Sequence, residues 1–162
     1  MDEVRPKATG VAPPKAIALT HRTRIQVNDQ HMVRGRGSVK VAADPKNKKT
    51  QDVWLRKGVP LIAHRRWEKH GIHNSTRAIV LKVNSSTVTV RLGGSGKEVE
   101  MPTEDFHRIL LVAYCVTIHK SQCMTIDTRY SIYDWEHRMM NWRAKYVAVS
   151  RATRLDLITV SK

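Results

Sequence analysis

Short apolar runs of strand length recur along the chain, and polar residues follow each of them. Such runs lie at residues 16–20, 59–63, 109–116 and 157–160, and their length and composition predict buried strands. The run at 109–116 is near-continuous and uncharged, which predicts a single strand of a parallel sheet covered on both faces. Apolar and polar positions at helical spacing after the first run predict a strand–turn–helix unit, and residues 130–133 predict one further short strand.

A different pattern occupies the middle of the chain. Residues 78–83 and 87–92 alternate between apolar and polar positions around the polar turn 84–86, which predicts a β-hairpin. Residues 98–101 alternate in the same way and predict an edge strand. Because three short strands are marginal alone, we expect them to pack on their neighbours. Strand–helix units on both sides of these strands predict an α/β fold with a parallel sheet.

These patterns divide the chain into three parts. Residues 1–15 contain three prolines and few large apolar side chains, and we expect a flexible lead-in. Residues 16–52 and 108–162 form the predicted α/β domain, with a long loop at 34–52. Residues 53–107 form a β-rich inserted subdomain.

Targeting and metal-binding signals are scarce. The chain has no apolar run long enough for a membrane span, and its start lacks the apolar core of a secretory signal. We therefore expect an intracellular protein without a membrane partner. Two cysteines without a CxxC pair exclude a disulfide framework and a four-cysteine zinc site. No metal site is predicted.

The charge favours a polyanionic partner. Lysine and arginine number 29 against 14 aspartate and glutamate residues, which gives a net charge of +15. Each phosphate that such a surface neutralises releases a counterion, so nucleic acid is the expected partner. A basic surface kept for solubility or for contact with an acidic protein is the alternative. Arg65, Arg66 and Lys69 surround Trp67, a combination that suits base stacking and phosphate binding. The lysines at 46–49 are expected in an exposed loop.

Two polar clusters follow predicted strands. His21, Arg22 and Arg24 follow the first run, and residues 117–122 follow the long run. If the two strands are neighbours, their carboxyl ends bring both clusters to one edge of the sheet, where open α/β sheets bind ligands. Arg151 is a third candidate, since an arginine at a γ-phosphate stabilises phosphoryl transfer. The chain has no phosphate loop and no acidic pair at a strand end to hold magnesium.

These residues carry a resemblance to a known family. Residues 113–125 (AYCVTIHKSQCMT) resemble motif V of superfamily 1 DNA helicases of the RecD and Pif type, and residues 145–153 (KYVAVSRAT) resemble motif VI. Residues 19–28 are similar to the looser motif IV. The block 130–136 is most like versions from large DNA viruses, which implies replication or repair of DNA at a viral site, in the host nucleus or in the virion.

The resemblance implies the second RecA-like half of such a helicase, with the β insertion as a small SH3-like barrel. ATP and Mg²⁺ are then expected only when a first half, in cis or in trans, completes the site. Arg151 would contact the γ-phosphate, with Arg22 or Arg24 assisting and Gln122 near the nucleotide. The residues expected to bind single-stranded DNA are Thr117, His119, Lys120, Ser121, Gln122 and His21, together with Arg65, Arg66 and Trp67.

The sequence departs from the family pattern at two turns. Cys123 and Ser75 stand where the family has glycine, so turns that need positive φ or close backbone approach would carry side chains. A chain without a phosphate loop is not expected to hydrolyse ATP alone. A non-catalytic nucleic-acid-binding module, or a degenerate helicase fragment, is the alternative function. The oligomeric state is left open.

Overall fold

The structure is a computed structural model that describes residues 10–161. Residues 1–9, which belong to the predicted lead-in, lie outside the described residues, as does residue 162. The described part contains eleven strands and four α-helices. In chain order they are β1 Ala16–Ala18, α1 His21–His31, β2 Val39–Val41, β3 Val53–Leu55, β4 Pro60–Ala63, β5 Arg77–Val83, β6 Thr87–Leu92, β7 Glu98–Pro102, α2 Phe106–Ile109, β8 Leu110–Val112, β9 Cys115–Thr117, α3 Ile118–Ser121, β10 Tyr130–Ile132, α4 Trp142–Val149 and β11 Ile158–Val160.

The first sheet is parallel, as predicted. Its four strands lie in the order β11–β10–β1–β9. All three residues of β1 and of β9 are buried, which explains their unbroken apolar sequence. The two strands are direct neighbours in parallel register, with Ala18 opposite Thr117. The ends of β1 and β9 therefore lie side by side, which is the condition on which the predicted convergence of the two polar clusters depends.

Four strands of the predicted insertion, β4 to β7, form a five-stranded antiparallel sheet together with β8, which follows the insertion, in the order β7–β6–β5–β4–β8. The hairpin predicted at 78–92 is confirmed, because β5 and β6 pair antiparallel across the turn at 84–86. Alternate side chains, including Ala78, Val80, Val88 and Val90, point into a shared apolar core. The predicted edge strand is confirmed as β7, which lies at one end of the ladder, with β8 at the other.

The single strand predicted at 109–116 is wrong. The run is divided between β8, in the antiparallel sheet, and β9, in the parallel sheet. The break at Ala113 and Tyr114 is stabilised by the side chain of Asn28 on α1. Its Nδ2 donates to the carbonyls of Val112 (3.2 Å) and Cys115 (3.0 Å), and its Oδ1 accepts from the Cys115 N–H at 2.8 Å. The uninterrupted apolar sequence of residues 109–116 does not indicate that Asn28, so distant in sequence, stabilises a break within it.

The segment 34–52, predicted as a loop, contains one strand. β2 pairs antiparallel with β3. The remainder is an ordered turn, since the N–H of Asp44 donates to the Thr50 hydroxyl at 2.9 Å and the Thr50 hydroxyl donates to the Asn47 carbonyl at 2.8 Å. This turn places Lys49 beside the N-terminal part of α1, where its carbonyl accepts from Arg24.

The described end of the predicted lead-in is packed against the protein. Val11 and Pro14 are buried, and Arg77 of β5 donates to the carbonyls of Val11 and Ala12. The N–H of Lys15 donates to the Tyr114 carbonyl at 2.7 Å, beside the β8–β9 break.

No helix among residues 10–161 is long and apolar enough to cross a membrane. The longest, α1, has 11 residues, which corresponds to about 16 Å of helix against a hydrocarbon core of about 30 Å.

We expect Asn28→Ala to lower the free energy of unfolding by about 3 kcal/mol, because it leaves buried backbone groups of Val112 and Cys115 without partners. Urea denaturation measures the change. Gln30→Ala, on the exposed side of the same helix, should stay within about 0.5 kcal/mol of the unsubstituted protein. Equal effects of the two substitutions would contradict the role assigned to Asn28.

Candidate functional site

A cavity of about 620 Å³, which we call the strand-end cavity, opens at the carboxyl ends of β1 and β9. Residues of both predicted polar clusters line it, so the two clusters converge as expected. Further side chains come from the turn before β3, from β4 and the segments that follow it, and from α4. The polar and charged residues that line it are His21, Arg24, Lys49, His64, Asn74, Thr117, His119, Lys120, Gln122 and Arg143.

The charged side chains that line this cavity are all positive. Arg24, Lys49, Lys120 and Arg143 line it, and among the described residues no aspartate or glutamate does so. Apolar side chains such as Ile62 complete the wall. Low-dielectric walls strengthen the field of the cations inside a cleft. The arrangement is suited to an anionic ligand that also has an apolar part.

Arg24 is the most deeply buried of the four cations, with 3% of its surface exposed. Its Nε–H donates to Nδ1 of His21 at 3.2 Å, and its Nη2 donates to the Lys49 carbonyl. None of the ion pairs formed within residues 10–161 includes it. Burial lowers the pKa of the guanidinium. A buried cation without a carboxylate is costly for the fold.

Two histidines of the cavity are uncharged at neutral pH. Burial, followed by the positive charge of Arg24, lowers the pKa of His21 to about 4. Since Nδ1 of His21 accepts the Arg24 hydrogen bond, its proton is on Nε2. Burial also lowers the pKa of His64, whose Nε2–H donates to the His107 carbonyl at 2.8 Å. Neutral imidazoles let the cations pack closely without further repulsion.

Lys120 connects α3 to strand β4 and to the segment between β4 and β5. Its ammonium donates to the Ala63 carbonyl at 3.1 Å, to the Ser75 hydroxyl at 3.3 Å and to the Asn74 side chain. Burial and the nearby charge of Lys49 lower its pKa. All of these partners are neutral, so the charge of Lys120 still contributes to the potential of the cavity.

Two hydroxyl groups, one at each end, stabilise the short helix α3. Oγ1 of Thr117 accepts from the Lys120 N–H at 3.3 Å and caps the helix. Ser121 is fully buried, and its hydroxyl donates to the Ile118 carbonyl at 2.7 Å. Ser121 therefore supports the turn from inside, whereas His119 and Gln122 are exposed and line the cavity.

The two residues that replace glycine in the family pattern both have left-handed backbones. φ is +67° at Cys123 and +71° at Ser75. A β-carbon in this region costs about 1–2 kcal/mol, so the turns keep the conformation that glycine would adopt without strain. The backbone path at both positions is therefore set by the surrounding fold.

Arg22 and Arg151 do not line the strand-end cavity. Arg22 is exposed on the first turn of α1. The Nε–H of Arg151 donates to the Val147 carbonyl at 3.0 Å, and its Nη1 lies 3.4 Å from the Met124 carbonyl. Val147 itself lines the cavity, so Arg151 is hydrogen-bonded to the backbone of a residue that forms part of the wall.

Arg65, Arg66 and Trp67 line a separate, smaller cavity of about 220 Å³ together with Arg108. Arg66 pairs with Glu68 at 2.7 Å, and Trp67 packs edge-on against His70 with ring centroids 4.1 Å apart. His64 of the strand-end cavity directly precedes Arg65 in the chain, so the two sites adjoin.

Four of the polar and charged residues that line the strand-end cavity were not predicted from the sequence: Lys49, His64, Asn74 and Arg143. Lys49 lies in the segment expected to be an exposed loop. The other three come from elements distant in sequence, and neither periodicity nor local composition indicates that these elements meet.

Comparisons with known proteins identify the fold. No protein-family model and no curated protein sequence matches the chain. Solved structures do match. Pif1 from Bacteroides bound to single-stranded DNA has a TM-score of 0.72 at 19% identity, over 98% of this chain and 42% of that chain. Bacteroides Pif1 with ADP-AlF₃ and single-stranded DNA has a TM-score of 0.66 at 18% identity, over 99% and 43%.

Pif1 from Candida albicans has a TM-score of 0.59 at 18% identity, over 96% of this chain and 46% of that chain. The chain therefore has a Pif1-like fold, in which a four-stranded parallel sheet is combined with antiparallel sheets. The chain spans less than half the length of each of these structures.

We expect Cys123→Gly to raise the free energy of unfolding by about 0.5–1 kcal/mol, since relief of the left-handed strain exceeds the added chain entropy of glycine. Cys123→Ala removes the same sulfur and keeps the β-carbon, and should change stability by less than about 0.5 kcal/mol. Urea denaturation compares the two. Equal stability of the glycine and alanine variants would contradict strain at this position.

Proposed function

We propose that this chain is the second motor half of an ATP-dependent superfamily 1 DNA helicase. It binds single-stranded DNA at the strand-end cavity and supplies the arginine side of an ATP site whose other side belongs to a first RecA-like half. The observation that carries this proposal is the cavity itself: four cations without a lining carboxylate among the described residues, at the carboxyl ends of two adjacent parallel strands.

The chemistry of the cavity fits a nucleic-acid strand. Phosphate oxygens accept hydrogen bonds from guanidinium, ammonium and imidazole N–H groups, all of which are present there. The apolar part of the wall accommodates a sugar or base. The unpaired charge of Arg24 acquires an anionic partner only when a ligand is bound, which accounts for a burial that otherwise only costs stability.

Roles follow from position in the cavity. His21, His119, Lys120 and Gln122 contact the strand, and Thr117 holds the turn that presents them. Ser121 acts from inside the same turn. The family resemblance assigns Arg24 to the nucleotide, but its place in this cavity favours a phosphate of the strand. Arg65, Arg66 and Trp67 extend the contact surface beyond His64.

The ATP site is assigned to two polypeptide segments. Arg151, with Arg22 assisting and Gln122 nearby, would act on the nucleotide from this half. The phosphate loop and the Mg²⁺ ligands would come from the first half, and residues 10–161 contain no group of three metal-ligating side chains. Bacteroides Pif1 has been solved with ADP-AlF₄ and with ADP-AlF₃, and its chain is more than twice as long as the matched part, which supports a shared site.

Two finer features complete the proposal. The antiparallel strands within residues 53–107 form an SH3-like barrel inserted into the RecA-like domain. The likeness of residues 130–136 to helicases of large DNA viruses adds viral DNA replication or repair as the setting. Oligomeric state is not part of the proposal.

A non-catalytic nucleic-acid-binding module is the second candidate. The observation in its favour is that Arg151 hydrogen-bonds carbonyls of its own chain. This candidate predicts DNA binding at the same cavity and no contribution to ATP hydrolysis with any partner half.

We expect Arg24→Met to weaken binding of a single-stranded oligonucleotide at least about tenfold, because a charge-assisted hydrogen bond is lost. The slope of log affinity against log salt should decrease by about 0.7. Fluorescence anisotropy over a salt series measures both. The free energy of unfolding should stay unchanged or rise, since an unpaired buried charge has been removed.

Arg91→Met serves as the matched control, because it removes the same charge from an exposed position of β6. Loss of affinity equal to that of Arg24→Met would show that general charge, and not the cavity, binds DNA.

Arg151→Ala should abolish the ATPase activity that appears when a first half with an intact phosphate loop is supplied in trans, because it removes the charge expected at the γ-phosphate. DNA binding by the separate chain should be retained. Phosphate release with and without single-stranded DNA is the measurement. Full activity of the variant would favour the non-catalytic module.

A further inference from the structure

Helix α4 presents two large aromatic side chains to solvent. Trp142 is 72% exposed and Tyr146 is 67% exposed. They are four residues apart, so they occupy the same side of the helix with β-carbons about 5–6 Å apart. Met139, 66% exposed, lies just before the helix. We refer to Trp142 and Tyr146 as the aromatic shelf. Neither ring packs in the apolar core, whereas Ala148, on the buried side of the same helix, does.

The sequence around the aromatic shelf is rich in basic residues. Residues 137–155 contain no aspartate or glutamate, and their basic residues are Arg138, Arg143, Lys145, Arg151 and Arg154, of which Arg154 is paired with Asp156. Single-stranded nucleic acid uses both the charge and the rings, since it has a charged backbone and flat apolar bases. Protein interfaces also combine arginine with aromatic side chains, and a protein surface is therefore the competing occupant that the experiment below tests.

The aromatic shelf borders the strand-end cavity. Arg143 and Val147 line the cavity and directly follow Trp142 and Tyr146 in the sequence, so they lie about 100° further around the helix. The Arg143 guanidinium lies 5.6 Å from the centroid of the Trp142 ring. One side chain thus connects the two surfaces, and a phosphate at Arg143 places the attached nucleoside beside the ring.

We propose that Trp142 and Tyr146 stack against bases of the same single strand whose phosphates occupy the strand-end cavity. This inference rests on the proposed function and assigns it a base-contact surface. Stacking is tolerant of sequence because every base has a flat face. The shelf therefore adds affinity for unpaired DNA and gives no preference among the four bases.

The experiment compares two ligands of equal length and charge, an oligo-dT strand and an abasic strand that has the same backbone without bases. For the double variant Trp142→Ala with Tyr146→Ala we expect about 25-fold weaker binding of oligo-dT, at about fivefold for each ring. Binding of the abasic strand and the salt slope should not change, because no charge is removed.

Two further variants serve as controls. Trp142→Phe with Tyr146→Phe keeps flat rings and should retain most of the affinity for oligo-dT. Leu155→Ala removes an apolar side chain that is 75% exposed and lies outside both surfaces, and it should leave binding of both strands unchanged. Thermal unfolding of each variant confirms that it is folded.

Unchanged binding of oligo-dT by the double alanine variant would overturn the inference and leave a protein surface as the occupant of the shelf. An equal loss on the abasic strand would also overturn it. If the unsubstituted chain bound neither strand in a salt-dependent manner, the proposed function would fail and the inference with it, a result distinct from the other two.

Discussion

The side chain of Asn28 is the constraint on which the arrangement of the two sheets depends. Its buried amide binds backbone groups on both sides of the break between β8 and β9, where the chain passes from the antiparallel to the parallel sheet. Because Asn28 and Arg24 are four residues apart on α1, the contact that fixes one also turns the other inward. The position of the most buried cation is thus tied to the crossing between sheets.

The cavity keeps its positive potential because its cations are bound to neutral partners. Arg24 and Lys120 are held by carbonyl, amide and hydroxyl oxygens, which satisfy their N–H groups without cancelling their charge. Carboxylates in the same places would stabilise the fold and block an anion. Burial, followed by the positive charge of Arg24, lowers the pKa of His21, so that this imidazole adds no further charge to the cationic group.

Local patterns in the sequence predict local structure well and long-range contacts poorly. Alternation sufficed for the β5–β6 hairpin, and unbroken apolar sequence sufficed for β1 as a buried strand. The same apolar continuity concealed the β8–β9 break, because the polar group that permits it is Asn28, more than eighty positions away. For this reason only part of the cavity could be predicted. The ends of strands indicate where α/β sheets bind ligands, but Lys49 and Arg143 belong to elements that are distant in sequence.

The left-handed residues show how the fold, and not the residue type, determines backbone conformation near the site. Asp134 also has positive φ, at +61°, but its carboxylate accepts from the N–H groups of Leu19 and Thr20 and from the Thr23 hydroxyl at 2.6 Å. Those bonds offset the strain and hold the N-terminus of α1, the helix that carries His21 and Arg24. Cys123 adopts the same left-handed conformation although it carries a β-carbon, so the backbone path of this turn does not depend on glycine. Residue type alone would therefore not have predicted the left-handed turns at Cys123 and Asp134.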